Sequence, residues 1–112
     1  MKEKRASASE RQHPCGERGE TLRKYFQDEL PDCDVFCRIA PDSEWFRFNF
    51  AKGNEDQYIL DVHRNVLADS KPEKVIERLK REKWKEVLKD NQKRRIACFT
   101  NNGFEKSLPW PH

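Results

Sequence analysis

The chain is poor in glycine, with four in 112 residues, and it has one methionine and no apolar run near the roughly 18 residues of a membrane-crossing helix. So few glycines leave little from which to build a phosphate-cradling loop, and neither a nucleophile elbow nor a His-Glu-x-x-His pair occurs. The opening segment MKEKRASASERQ lacks the apolar core of a secretory signal, so the expected compartment is the cytoplasm, with no membrane partner. Apolar residues make up 35% of the chain and charged residues 38%, which predicts a small core weighted toward its seven Phe, three Trp and two Tyr.

Cysteine is present but in no recognisable framework. Without a secretory signal, Cys15, Cys33, Cys37 and Cys98 are expected as reduced thiols. His13, Cys15, Cys33 and Cys37 suggest zinc ligation, yet in a strand Cys33 and Cys37 would stand roughly 13 Å apart. Core or edge cysteines are the expectation, with no metal and no cofactor.

What the chain does have is an uneven charge distribution. From Asp28 to Asp69 there are ten acids against four bases, and from Lys71 to Arg95 eleven bases against five acids, although the whole protein is +3. A local field of this kind bears on partners more than the total does.

The periodicity predicts one domain over residues 17–106, between a flexible tail at 1–16 and a C-terminal tail at 107–112. Leu22, Tyr25, Phe26 and Leu30 fall at helical spacing, and Pro31 ends that helix. Period two follows in Val35, Cys37 and Ile39, then in Phe46, Phe48 and Phe50, then in Tyr58, Leu60 and Val62, which predicts an antiparallel meander of three strands. Ser70-Lys71-Pro72-Glu73 reads as a capping box opening a second helical stretch, whose apolar group turns near Glu82 through a bend or a junction of two short helices. Arg95 to Thr100 reads as a last strand before an Asn101-Asn102-Gly103 turn. The expected fold is α+β in the order α-β-β-β-α-β, a three- to four-stranded antiparallel sheet with helices on its Phe46/Phe48/Phe50 face.

On one continuous helix Lys74, Arg78, Arg81, Lys85 and Lys89 step by three or four and form a single basic stripe, which Arg94 and Arg95 extend. Such a stripe would neutralise phosphates without reading bases. Trp45 and Arg47, on the strand face away from the helices, are the expected additional contact surface. The first reading is therefore a cytoplasmic, non-catalytic module contacting DNA or RNA backbone. A second is an interaction domain in which the acidic segment of one copy, or of an acidic protein, meets the basic helix.

A third reading rests on a resemblance. The order of elements, with Pro41-Asp42 and Asp61-Val62-His63, resembles the core of metal-dependent nucleases of the Pro-Asp…(Asp/Glu)-x-Lys type, with His63 where that pattern has lysine. The resemblance implies that two carboxylates hold Mg²⁺ for phosphodiester cleavage.

Overall fold

The computed structural model describes residues 15–40, 44–90 and 95–109, with the side chains of Lys106 and Ser107 excepted. Helix α1 (Gly16–Glu29) leads into strands β1 (Asp34–Ile39), β2 (Trp45–Lys52) and β3 (Glu55–His63). Three helices follow, α2 (Arg64–Asp69), α3 (Pro72–Arg81) and α4 (Trp84–Asp90), and then strands β4 (Arg95–Thr100) and β5 (Gly103–Pro109). The expected 1–16 tail lies mostly outside the described residues, while β5 takes in the start of the expected C-terminal tail.

The strands form one five-stranded sheet in chain order. The meander β1-β2-β3 is antiparallel as expected. The fourth strand corrects the antiparallel prediction: β4 runs parallel to β3, and β5 returns antiparallel to β4, so the sheet is mixed. The long crossover is the physical reason, because the helical stretch carries the chain back to the end where β3 began. Gly103, buried at φ +96°, turns the β4–β5 hairpin, a backbone state that other side chains resist.

All four helices cover one face. Leu22 and Phe26 of α1, Val66 of α2, Val75 and Leu79 of α3, and Trp84 and Leu88 of α4 pack on Val35, Phe48, Phe50, Leu60, Val62 and Phe99. Five rings meet at the centre. Phe26 lies 5.0 Å from Phe48, 5.4 Å from Phe50 and 4.8 Å from Trp84, measured between centroids, while Tyr25 lies 5.8 Å from Trp84. On the opposite face Ile59, Ile96 and Cys98 form a second buried cluster with Trp45 beside it, and no helix residue belongs to it.

Side chains of α1 cover the outer rim of β1 at its start. The Gln27 amide donates to the Cys33 carbonyl and accepts from the Val35 N–H at 3.0 Å, while Arg23 donates to the Val35 carbonyl at 3.3 Å. Those backbone groups point away from β2, where a foreign strand would otherwise pair.

The cysteine expectation is corrected at the same rim. Cys15 and Cys37 form a disulfide joining the N-cap of α1 to β1, while Cys33 and Cys98 are free and buried. The fold brings together two residues that are 22 apart in sequence, a proximity that spacing does not reveal. Gly19 makes room for the bridge, because a Cβ there would stand 2.3 Å from the Cys15 Cβ.

Closing a loop of this size stabilises the native state by about 3 kcal/mol through the unfolded chain. The double substitution Cys15→Ser with Cys37→Ser is expected to lower unfolding free energy by about that amount in urea titration. Gly19→Ala should hinder the bridge, read as more alkylatable thiol.

Candidate nucleic-acid interface

The basic segment folds as two helices, not one. Pro72 takes the first turn of α3 after the cap residue Lys71, which makes no side-chain cap bond, so the expected Ser70 capping box does not form. Ser70 instead ends α2, its N–H bonding to the Val66 carbonyl at 3.2 Å. Valine and leucine of α3 face the core at Val75 and Leu79, and Trp84 and Leu88 do so from α4. To turn both apolar groups inward the chain breaks between them, with Lys83 at φ +57°, the sole non-glycine residue of positive φ among the described residues.

The break also splits the stripe. Lys74, Arg81 and Lys89 are exposed, as is Arg95 at the start of β4, whereas Arg94 lies outside the described residues. Arg78 turns toward the sheet: its Nη2 donates to the carbonyls of Thr100 at 3.0 Å and Asn101 at 2.9 Å, with the guanidinium 5.0 Å over the Phe99 ring. It fastens α3 to the β4–β5 turn. The Nζ of Lys85 lies 2.7 Å from Glu29 of α1, so part of the charge complementarity expected between copies is used within one chain.

Two bases that the stripe omitted, Lys80 and Lys83, stand at the corner. With Lys85 they border a shallow depression of about 290 Å³, whose aromatic side is Tyr25 and Trp84. The Trp84 Nε1 donates to the Tyr25 hydroxyl at 3.0 Å, and the Lys80 Nζ lies 5.8 Å over the Tyr25 ring. Burial, more than any neighbouring charge, raises the Tyr25 phenol above its usual pKa and keeps it neutral. Glu29 and Glu86 also border the depression, so three ammonium groups face two carboxylates. Lysine ammonium groups in this setting act as point charges toward an anion.

The expected contact surface on the other face is different in kind. Arg47 is buried, and its Nε and Nη2 donate to the two oxygens of Asp61, directly across the β2–β3 pair, at 2.8 and 2.9 Å. A bidentate pair of this sort leaves the guanidinium unavailable to a phosphate. Trp45 is half-buried, its ring edge-on to His63 at 4.9 Å.

The nuclease pattern meets the same obstacle. Asp61 is held by Arg47, and Pro41-Asp42 lies outside the described residues. Both His63 nitrogens have partners: Nδ1 accepts from the Asn65 N–H at 3.2 Å, capping α2, and Nε2 is 3.3 Å from Glu44. Among the described residues no group of three or more His, Cys, Asp or Glu side chains could hold a metal ion. No helix there is long and apolar enough to cross a membrane.

No family model matches the chain, and neither a curated protein nor a solved structure does.

Removing one partner of a buried ion pair strands the other. Arg47→Leu is expected to cost about 3–5 kcal/mol in chemical unfolding, whereas Arg47→Leu with Asp61→Leu should recover most of that loss. Beside this pair, burial first and the Asp61 charge second push the Cys98 thiol up to about 11 from its ordinary 9.0. The folded protein keeps that proton where the unfolded chain loses it, so the contribution is complete below pH 9 and disappears as pH rises to about 11. Unfolding free energy should fall across that window, and less steeply in Cys98→Ala.

Proposed function

We propose that the protein is a non-catalytic binding module that contacts the phosphate backbone of DNA or RNA through the α3–α4 corner. Lys80, Arg81 and Lys83 form the centre of the contact, with Lys74, Lys89 and Arg95 around it. Arg78 and Lys85 serve the fold and orient the corner.

The observation that carries this reading is Lys83. A residue just past a helix end in the left-handed region is most cheaply glycine, and a bulkier side chain there costs roughly 1 kcal/mol. The chain nevertheless has a lysine at φ +57°, beside Lys80 and Lys85. Strain retained at an exposed position is consistent with a side chain selected for contact rather than for stability. Binding of this kind is independent of base sequence.

A cytoplasmic place of action belongs to the same proposal. The Cys15–Cys37 bond is the observation against it, since disulfides persist mainly in oxidising compartments.

Lys83→Gly separates the two roles of this residue. It should raise unfolding free energy by about 0.5–1 kcal/mol while weakening retardation of DNA or RNA in a mobility-shift titration. For four engaged phosphates, wild-type affinity should drop about a hundredfold between about 50 and 200 mM salt. Equal binding by the glycine variant, or no salt dependence, would remove the reading.

A further inference from the structure

The disulfide ties the start of α1 to β1 across a joint. Gly16 stands between Cys15 and the body of the helix at φ +74°, and a Cβ there would meet nothing within 4 Å. A glycine at positive φ in open space is a place where the chain can turn without moving its neighbours. The body of α1 is held without the bridge. Leu22 and Phe26 lie in the core, Gln27 and Arg23 bond to the β1 backbone, and Nη1 of Arg18 donates to the carbonyls of Leu67 and, at 3.3 Å, Ser70. Opening the bond therefore frees Cys15 and leaves the helix docked.

The four cysteines divide by access. Cys33 and Cys98 are free thiols, 7% and 3% exposed, and burial raises the pKa of both. Within the bridge Cys15 is 6% exposed, whereas Cys37, on the rim strand β1, is half-buried. A dissolved thiol thus meets the Cys37 sulfur first. Exposed disulfides are the more reducible ones, and those found in reducing compartments are usually transient or redox-sensing.

We propose that the Cys15–Cys37 bond is a redox switch, closed by oxidation and opened by a small monothiol such as glutathione. The thiolate of one glutathione attacks the Cys37 sulfur and forms a mixed disulfide. The electron pair of the broken bond leaves on Cys15, at the N-terminal end of α1, where negative charge is favoured. A second glutathione thiolate attacks the glutathione sulfur of that adduct, which releases Cys37 as a thiolate and carries off glutathione disulfide. The bridge gains two electrons and the two glutathiones lose them. Cys15 then turns about Gly16, and the chain before the helix is no longer tied to β1. The switch does not depend on the phosphate contact.

Glutathione buffers near neutral pH test this on the intact chain, with thiol alkylation followed by peptide mass mapping. In excess reduced glutathione Cys15 and Cys37 should be alkylated at least about tenfold faster than Cys33 and Cys98, because the opening is local. Return to an oxidising buffer should close the bond again, and acid quenching part-way should trap glutathione on Cys37. The permanently open variant, Cys15→Ser with Cys37→Ser, should protect Cys33 and Cys98 as well as the reduced chain does. NMR shift changes between the two states should centre on Gly16 and Cys37. A bond that stays closed in the reducing buffer, equal labelling of all four cysteines, or shift changes spread through the core would show a fixed staple and overturn the switch. Glutathione trapped on Cys15 overturns the assignment of the attacked sulfur.

Discussion

The contact on which the fold most depends is the packing of Phe26, tilted against Trp84 and Phe50 and edge-on to Phe48. It joins the first helix, the last helix and the second strand at one point, and all four of these rings are buried. A small core gains most from such residues, because each ring removes a large area from water and its edge-to-face geometry adds about 0.5–1.5 kcal/mol per pair. The hydrogen bond from Trp84 to Tyr25 satisfies the one polar atom that the indole brings into that cluster. The position of Trp84 also sets the corner, since α4 must begin where the indole can reach Phe26. Lys83 precedes it and takes the left-handed backbone as a result.

The charge asymmetry of the chain is thereby divided between two tasks. Arg78 and Lys85 hold elements together, one across to the β4–β5 turn and one to α1. Lys74, Arg81, Lys83 and Lys89 stay in solvent. A buried arginine performs a third task on the far face, where Arg47 and Asp61 fix the β2–β3 register, because a slip of one strand by one residue would put them on opposite faces of the sheet.

Much of this was legible in the residues. The period-two runs through Phe46, Phe48 and Phe50 and through Tyr58, Leu60 and Val62 placed the meander and its covered face, and the apolar shift near Glu82 marked the junction of α3 and α4. The parallel strand has a signal of its own: Ile96 to Phe99 is continuously apolar, the mark of a strand buried on both faces. Strand β5 was hidden because Glu105, Lys106, Ser107 and Pro109 resemble a tail, which is also how an edge strand is composed. Helix α2 has six residues, too few for a period to show. Neither the disulfide nor the Arg47–Asp61 pair has a local signature, since each joins residues that only the folded sheet or its docked helix brings together. Of the basic residues, spacing identified the exposed Lys74, Arg81 and Lys89, but it assumed a straight helix and so passed over Lys80 and Lys83.

The cover that Gln27 and Arg23 place over β1 makes the sheet unequal at its two rims. Among the described residues the rim beside β5 has no such cover. A sheet that accepts a new strand on one side alone cannot propagate, because the first addition uses its single open rim. Two copies meeting β5 to β5 would be closed at both ends, a finite pair instead of a fibril. On the covered side it is the first helix, through Gln27 and Arg23, that takes the place a neighbouring strand would otherwise occupy beside Val35.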